Sequence, residues 1–309
     1  MAFNTPLRYP GGKGRLSNFV REIIDLNGLR GGEYVELYAG GAGIAMTLLL
    51  NNVVARVHIN DLNRSIYVFW NAVLHNCDAL CNRIIDTEVT IEEWHKQRAV
   101  QINIESTSFD LAFSTFFLNR TNRSGIIGAG VIGGKGQAGD WKLDARFNKI
   151  DLVARIKKIA AMADRISLYR CDAADFIRHE LPNISNRALV YLDPPYYAKG
   201  KELYQNHYQH ADHAEIAILA ATMKQKWLVT YDDVEHIKNL YAKFPQRNFG
   251  LQYSVNGRYC GTEVLITKSD LVLPVSVQPT RAALPELTLL RHQQKLAFYA
   301  AEQVLKSSS

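Results

Sequence analysis

One short stretch in the second half of the chain restricts the fold more than any other. Residues 188–192 form a hydrophobic run with β-branched and aromatic members, which predicts a buried strand. The run ends at Asp193-Pro194-Pro195-Tyr196, and two consecutive prolines neither continue a strand ladder nor start a helix smoothly. We therefore expect the Asp193 carboxylate and the Tyr196 ring in a rigid, exposed loop at the carboxyl end of a strand. Ligands of open α/β sheets bind at that place.

A strand, a glycine turn and a helix follow one another near the amino terminus. Residues 34–38 are strand-like, Gly40 and Gly41 come next, and residues 44–50 are helix-like. This is the first unit of a nucleotide-binding α/β fold, in which glycines let the backbone approach the ligand. Met46 stands at the third glycine position of the dinucleotide fingerprint, so the sequence disfavours an NAD enzyme.

Two acidic residues follow other predicted strands. Asp61 comes directly after residues 55–60, where an acid accepts hydrogen bonds from ribose hydroxyls in nucleotide sites. With the glycine turn, it fits a nucleoside ligand that carries a carboxylate rather than phosphates, and S-adenosylmethionine is such a ligand. Asp172 follows the predicted strand 165–169 and is a candidate for bonding the cofactor's adenine amino group. A solvated turn residue is the alternative interpretation of Asp172.

The composition is that of a globular protein, with 47% hydrophobic and 21% charged residues among 309. A net charge of +6 permits a polyanionic partner without proving one. The amino terminus lacks the pattern of a signal peptide, and no apolar run reaches the roughly 18 residues of a membrane span. The four cysteines suit a reducing compartment. No metal is expected, because neither Cys77 with Cys81 nor the histidines His207, His210 and His213 complete a convincing ligand set.

Between residues 64 and 150 the alternation of strands and helices stops. Residues 66–80 and 91–102 are predicted helices, and a glycine-rich stretch occupies residues 128–139. Residues 128–133 match the dinucleotide pattern in letters, but further glycines break any following helix, so we interpret them as a mobile surface loop. Such a loop on a helical insertion suits a target-recognition element, and a merely solvated loop is the alternative. The candidate phosphate and base-edge contacts are Arg120, Asn122, Arg123, Lys135, Lys142 and Arg146.

The last part of the chain completes the predicted sheet and adds a tail. The predicted elements are a helix at 152–162, a helix starting at Asp212, a strand at 227–231, an antiparallel pair at 246–255 and 262–267, and a helix at 286–305. The predicted domains are a discontinuous catalytic domain (1–63 and 151–270), an inserted DNA-binding subdomain (64–150) and a C-terminal helical extension (271–309).

Several motifs stand in a specific order along the chain. They are Arg8-Tyr9-Pro10-Gly11-Gly12-Lys13, Tyr38-Ala39-Gly40-Gly41, Asp61, Asn119-Arg120-Thr121 and Asp193-Pro194-Pro195-Tyr196. In this order they resemble the DNA adenine N6-methyltransferases of the Dam type, the D12 class, over roughly residues 4–268. The resemblance implies that S-adenosylmethionine is contacted by Tyr9, Lys13, Asp61 and Asp193. The predicted cofactor site also includes Tyr38, which stands where the family often has Phe, and Gly40, Gly41 and Asp172.

The resemblance further implies a Rossmann-like S-adenosylmethionine-dependent methyltransferase fold, with a mixed seven-stranded sheet and an inserted, mainly helical target-recognition subdomain. The expected reaction is methyl transfer to the N6 amine of an adenine flipped out of double-stranded DNA. Asp193 and the Pro194 carbonyl are expected to hydrogen-bond the amine, and Tyr196 is expected to stack on the base. The expected DNA contacts are Arg120, Asn122, Arg123 and Lys135.

Other targets and roles remain alternatives. Enzymes that methylate cytosine N4 usually have Ser where Asp193 stands, and RNA and protein-glutamine enzymes of related type usually have Asn. A non-catalytic DNA-binding or regulatory protein that keeps the cofactor fold is an alternative of a different class. A cytoplasmic location in a bacterial or phage context and a cognate restriction endonuclease as partner accompany the predicted DNA modification.

Overall fold

The computed structural model describes residues 4–8, 13–197, 208–253 and 259–274. Its strands are β1 (Glu33–Glu36), β2 (Arg56–Asn60), β3 (Ile166–Tyr169), β4 (Ala188–Leu192), β5 (Lys226–Asp232), β6 (Gln246–Tyr253) and β7 (Tyr259–Thr267). They form one seven-stranded sheet in the order β3-β2-β1-β4-β5-β7-β6. β1 to β5 are parallel, and β7 runs antiparallel to both of its neighbours. The predicted mixed seven-stranded α/β sheet is confirmed.

Helices cover the sheet and connect its strands. They are α1 (Ser17–Leu26), α2 (Gly43–Leu50), α3 (Arg64–His75), α4 (Cys77–Asp86), α5 (Ile91–Ile102), α6 (Ser108–Thr121), α7 (Lys149–Ala160), α8 (Ala173–Asp175), α9 (His210–Thr222) and α10 (Glu235–Leu240). A 3-10 helix, Lys13–Leu16, precedes α1, and a π-helix, Phe176–Glu180, continues α8. Of these helices, none is both long and apolar enough to cross a bilayer.

The centre of the sheet places the carboxyl ends of its strands side by side. Every residue of β4 is buried, as expected for a strand of a parallel sheet that is covered on both faces. Glu36 at the end of β1 lies opposite Tyr191 in β4 and opposite Ile59 in β2. The strand order reverses between β1 and β4, which is where open α/β sheets bind ligands.

Alternate residues of each strand pack into two different layers. Tyr34 and Tyr191 belong to a core that includes residues of α1, α2 and α3. Val35 and Val190 belong to a second core, with residues of α9 and α10. A residue two positions beyond Tyr34 or Tyr191 therefore points toward the α1–α3 layer.

The connection from β2 to β3 is helical and contains α3 to α7. The side chains of Asn63, Thr90, Thr107 and Asn148 accept hydrogen bonds from backbone N–H groups at the starts of α3, α5, α6 and α7. Phe69 of α3 and Phe116 of α6 stack at 6.1 Å within the core that also packs on the sheet. A separate subdomain at residues 64–150 stays a prediction.

Three predicted helices are wrong in extent, differ in their first residue or lie outside the described residues. A single helix over residues 66–80 is wrong, because α3 ends before Asn76 and α4 begins after it. The helix predicted from Asp212 begins earlier, at His210, because the Asp212 carboxylate accepts a hydrogen bond from the Gln209 N–H (2.6 Å). The predicted helix at 286–305 falls outside the described residues.

The glycine-rich stretch forms a loop, as its sequence predicted. Asn122 and Val131 form an isolated antiparallel bridge at its base. Gln137 Nε2 donates to the carbonyl oxygens of Ile132 (2.8 Å) and Gly134 (2.6 Å). These bonds fix the backbone without a helix, so the dinucleotide-like letters at 128–133 do not form a nucleotide-binding turn.

Candidate active site

The carboxylate of Asp193 lies directly beyond β4 and is oriented by a hydroxyl group from β5. Thr230 Oγ1 donates to Asp193 Oδ1 at 2.7 Å. Tyr191 Oη lies 2.7 Å from Thr230 Oγ1, and Tyr191 must donate there because the single Thr230 proton is already used. A buried chain of two hydroxyl groups thus fixes the direction of the carboxylate.

The loop after Asp193 is held more tightly than the sequence predicted. Tyr196 is only 9% exposed, and its hydroxyl donates to Glu263 Oε1 of β7 at 2.7 Å. The Tyr197 N–H donates to Asp232 Oδ1 of β5 at 2.9 Å. The expected exposed loop is therefore corrected to a half-buried loop that is fastened to two neighbouring strands.

A group of acidic residues lies on the same face at the carboxyl edge of the sheet. Tyr34, Tyr191 and Leu265 all belong to one core. Glu36 and Asp193 lie two residues beyond Tyr34 and Tyr191, and Glu263 lies two residues before Leu265, so the three acids share the face of these core residues. Glu36 Oε2 accepts a hydrogen bond from the Ala45 N–H at 3.0 Å. Burial, supplemented by the charge of Asp193, raises the pKa of Glu36 to about 8.

Sequence reasoning missed Glu36, although a signal was present. It is an acid inside the hydrophobic run 34–38, which predicts a strand. A buried charge in a strand is costly unless it has a partner or a ligand.

The glycine turn after β1 is tied to Asp61 at the end of β2. The Gly40 N–H donates to Asp61 Oδ2 at 2.8 Å, and the Asn63 N–H donates to Oδ1 at 2.9 Å. Trp70 Nε1 donates to the Gly40 carbonyl at 2.9 Å. Burial raises the pKa of Asp61 to about 6, although both backbone hydrogen bonds act in the opposite direction. Asp61 and the turn therefore lie in direct contact, and their binding of the cofactor stays a prediction.

Tyr38 connects this turn with the segment that precedes α9. Its hydroxyl lies 3.0 Å from the hydroxyl of Tyr208. Burial raises the pKa of Tyr38 well above its ordinary value, so the side chain is neutral. The two rings meet edge to face at 6.0 Å. The Tyr38 hydroxyl is therefore a structural link between the glycine turn and Tyr208, which precedes α9.

Residues near the amino terminus pack against the glycine turn. Thr5 Oγ1 donates to the Gly41 carbonyl. A Cβ atom at Gly43 would lie 3.3 Å from the Gly14 Cα atom, so the backbones approach closely there. Lys13 begins the 3-10 helix one residue before this contact. The predicted cofactor contact Tyr9 lies outside the described residues, whereas the backbone of Lys13 is placed beside the turn.

Asn60 holds the carboxyl ends of three strands together from the interior. Its Nδ2 group donates to the carbonyl oxygens of Leu37 (3.1 Å) and Cys171 (3.0 Å), and its Oδ1 accepts from the Cys171 N–H (3.1 Å). The next residue, Asp172, accepts a hydrogen bond from the Ala174 N–H at 2.8 Å and so starts α8. Asp172 lies at the predicted edge of the sheet, and a contact with adenine stays a prediction.

The structure separates the predicted DNA contacts into two pairs. Asn122 is buried, accepts from Trp94 Nε1 (2.6 Å) and donates to the carbonyl oxygens of Ile126 and Ile127. Arg120 Nε donates to the Arg146 carbonyl at 2.6 Å. Both side chains are thus turned inward. The other predicted contacts are exposed: Arg123 begins a short 3-10 helix directly after α6, and Lys135 lies on the glycine-rich loop.

Asn119 has a positioning role that the residue pattern alone did not reveal. It is 1% exposed, its Oδ1 accepts from the Arg8 N–H (2.7 Å), and its Nδ2 donates to the carbonyl oxygens of Arg8 (2.6 Å) and Gly125 (2.8 Å). A Cβ atom at Gly125, which has φ +76°, would lie 2.5 Å from the Arg8 carbonyl oxygen. This cluster fastens the chain before Tyr9 to the end of α6.

In the part of the chain that the structure describes, no three His, Cys, Asp or Glu side chains come together as a metal site.

Solved structures that this chain resembles include a candidate RNA methyltransferase from Pyrococcus horikoshii, at 9% identity and a TM-score of 0.40, covering 83% of this chain and 84% of that one. A candidate methyltransferase from Escherichia coli has 9% identity and a TM-score of 0.34, covering 82% and 85%. Identities and TM-scores this low do not show what this chain does. No curated protein matches in sequence.

The sequence matches the family described as the D12 class of N6 adenine-specific DNA methyltransferases over residues 9–254. This range includes the glycine turn with Asp61, the Asn119 contacts and the Asp193 loop. Because this match spans most of the chain, the chain belongs to the D12 class of N6 adenine-specific DNA methyltransferases.

Proposed function

We propose that the protein transfers a methyl group to the N6 amine of an adenine flipped out of double-stranded DNA. The observation that carries this proposal is the Asp193 carboxylate, directed by Thr230 and followed by Pro194, at the edge that also holds the glycine turn. Membership of the D12 class makes the protein an S-adenosylmethionine-dependent methyltransferase. Adenine in DNA is the target that this family and Asp193 favour.

The residues at this edge fit the cofactor. S-adenosylmethionine, when bound, supplies an electrophilic methyl group on a positively charged sulfonium. Burial raises the pKa values of Glu36 and Asp61, and the charge of Asp193 raises that of Glu36 further. A cation bound close to these carboxyl groups would favour their ionised forms and lower both pKa values. Asp61 and the turn at Gly40 and Gly41 would hold the nucleoside, with Tyr9, Lys13, Tyr38 and Asp172 as the further proposed contacts.

Asp193 and Pro194 would act on the amine. The lone pair of the adenine N6 is delocalised into the ring, which makes it a poor nucleophile. Hydrogen bonds from N6 to the Asp193 carboxylate and the Pro194 carbonyl oxygen localise this pair, and the fixed φ of proline preorganises that carbonyl. N6 becomes acidic as it gains the methyl carbon, so Asp193 need not be a strong base when the proton leaves.

Tyr196 would form the wall of the base pocket. Its hydroxyl is bonded to Glu263, so the ring cannot rotate freely and its orientation is set before the base arrives. Stacking on an extruded base contributes on the order of 1–3 kcal/mol. The base must leave the duplex because its N6 is not reachable within the stack.

Arg123 and Lys135 are the proposed phosphate contacts, because they are exposed on the loop that follows α6. Arg120 and Asn122 would shape that loop from inside rather than touch DNA. Modification of DNA fits a cytoplasmic enzyme of a bacterium or phage, with a restriction endonuclease of the same specificity as a candidate partner.

Methyl incorporation from labelled S-adenosylmethionine into duplex DNA, followed by nucleoside analysis, tests the proposal. We expect N6-methyladenine with the wild-type protein and none with Asp193→Ala. Asp86→Ala removes an exposed carboxylate at the end of α4 and serves as the matched control, with expected wild-type activity. Label in cytosine or only in RNA would establish one of the alternative targets. Normal adenine methylation by Asp193→Ala would disprove the proposed site.

A further inference from the structure

Trp141 is exposed in a way that sets it apart from the other tryptophans. Its side chain is 66% exposed, whereas Trp70, Trp94 and Trp227 are at most 4% exposed. Removal of a large aromatic side chain from water lowers the free energy of the system. An indole that is held in a fixed position on the surface can therefore stabilise a bound ligand by packing on it.

The chain on the carboxyl side of Trp141 is fixed. The Leu143 N–H donates to Gln137 Oε1 at 2.9 Å, which joins it to the glycine-rich loop. Phe147 is buried, with its ring 5.4 Å from both Phe116 and Phe117 of α6. The indole is thus presented to solvent by an ordered segment.

Arg146 lies beside the ring. Its Cζ atom is 5.7 Å from the centroid of the Trp141 indole, within the range of a cation–π contact. Its carbonyl oxygen accepts the Arg120 Nε hydrogen bond described above. The guanidinium itself is exposed, so a phosphate can reach it.

Several arginines crowd this region. Burial, together with the charges of Arg8, Arg155 and Arg146, lowers the pKa of Arg120 to about 9. Burial and the charge of Arg146 lower the pKa of Arg8 as well. Asp151 lies in the same cluster and pairs with Arg155 at 2.6 Å. Repulsion among like charges is relieved when an anion binds.

The acidic residues near Trp141 do not make the net charge of this segment negative. Asp140 and Asp144 flank Trp141 and are exposed, as are the cations Lys135 and Lys142. With Arg146 the exposed residues of this segment carry more positive than negative charge. An apolar protein partner does not account for this charge, whereas a nucleic acid offers both flat apolar rings and phosphates.

We propose that Trp141 and Arg146 form a DNA contact site separate from the Asp193 loop, in which the indole packs on a nucleobase and the guanidinium pairs with a phosphate. This inference rests on the proposed function, because it assumes that DNA is the substrate. It adds the Trp141 indole to the exposed basic residues already proposed as phosphate contacts, Arg123 and Lys135, and pairs it with Arg146, a candidate from the sequence.

Intrinsic fluorescence tests the site directly, because the other three tryptophans are buried. A labelled DNA duplex is titrated while anisotropy reports binding and indole emission reports the Trp141 environment. We expect quenching of the wild-type protein in step with binding. Trp141→Phe keeps a stacking ring, so it should bind DNA nearly as well while losing the quenching. Trp141→Ala should bind roughly ten-fold more weakly.

Matched controls come from the chain just before β1, at the amino end of that strand. Leu26→Ala and Arg30→Gln alter an exposed apolar and an exposed basic residue just before β1, and both should bind DNA like the wild type. Arg146→Gln should weaken binding, whereas Arg30→Gln should not. Heparin is a polyanion without bases and should quench little.

The possible results separate the two proposals. DNA binding and adenine methylation without any change in indole emission would overturn the Trp141 site and leave the proposed function intact. Quenching by heparin equal to that by DNA would overturn base packing. A wild-type protein that neither binds nor methylates DNA would overturn both. If Trp141→Ala does not fold, the wild-type and Trp141→Phe titrations still decide the outcome.

Discussion

At the scale of single residues, the direction of the Asp193 carboxylate depends on Thr230. We expect Thr230→Val to lower kcat by roughly 10- to 100-fold, because the carboxylate loses its donor and Tyr191 loses its acceptor. The dissociation constant of S-adenosylmethionine should change much less. Thr230→Ser keeps the hydroxyl group and should restore most of the rate. An unaltered kcat in Thr230→Val would show that this hydrogen bond does not prepare the carboxylate.

The buried Glu36 carboxyl group gives a second prediction at this scale. Its pKa is raised from an ordinary value of 4.5 to about 8, so the folded protein binds its proton more tightly than the unfolded chain does. The stabilising contribution is complete below pH 4.5 and is lost as the pH rises through 8. Glu36→Gln stays neutral and lacks this loss.

Thermal unfolding of the wild type and Glu36→Gln without cofactor measures the effect. The Tm of Glu36→Gln minus that of the wild type should increase by several degrees between pH 5 and pH 8. Asp86→Asn, at an exposed site, controls for the removal of one charge. An equal difference at both pH values would mean that Glu36 does not titrate as the structure indicates.

At the scale of elements, Asn119 joins the end of α6 to the chain that precedes Tyr9. Asn119→Ala leaves the Arg8 N–H and carbonyl groups without these hydrogen bonds in a half-buried place. We expect a rise of about ten-fold or more in the KM for S-adenosylmethionine, because Arg8 leads directly into the predicted cofactor contacts Tyr9 and Lys13. A loss of unfolding free energy of about 1–3 kcal/mol should accompany it.

Asn183→Ala is the control for this change, because Asn183 is exposed and bonds only the His179 carbonyl, one turn earlier, among the described contacts. Asn119→Asp keeps the acceptor for the Arg8 N–H but turns a carboxylate oxygen toward the carbonyl oxygens of Arg8 and Gly125, so its KM should rise at least as much as that of Asn119→Ala. If Asn119→Ala, Asn119→Asp and Asn183→Ala all have the same KM for S-adenosylmethionine, Asn119 does not position the cofactor contacts.

Elements differ in how far their sequences predict them. The strands were predictable because continuous or alternating apolar runs match burial in a sheet, as in β4 and β5. α6 was not assigned because it is buried nearly all round and mixes polar residues such as Ser114 and Thr115 into the core. Its sequence therefore shows no helical period. The break at Asn76 likewise leaves no periodic signal between α3 and α4.

The residues of the candidate site also differ in how far the sequence predicts them. Asp193, Asp61 and the glycine turn follow from local order in the sequence, since each comes directly after a strand. Glu263 reaches Tyr196 only because β7 pairs with β5, opposite Asp232. Such pairing is not visible in local sequence. The inward direction of Arg120 and Asn122 was equally hidden, because residue type does not tell which way a side chain points.

At the scale of the whole molecule, the net charge of +6 and its placement decide how DNA affinity responds to salt. Each phosphate contact lowers the slope of log affinity against log salt by about 0.9. If Arg123 and Lys135 touch phosphates, the double variant Arg123→Gln with Lys135→Gln should have a slope about 1.8 units shallower than the wild type. Arg21→Gln with Arg30→Gln removes the same charge from α1 and the turn before β1, so it shares any effect of net charge alone. Anisotropy titrations over several salt concentrations measure all three slopes. A shallower slope in both variants would mean that the overall charge acts, and only a difference between them supports phosphate contacts by Arg123 and Lys135.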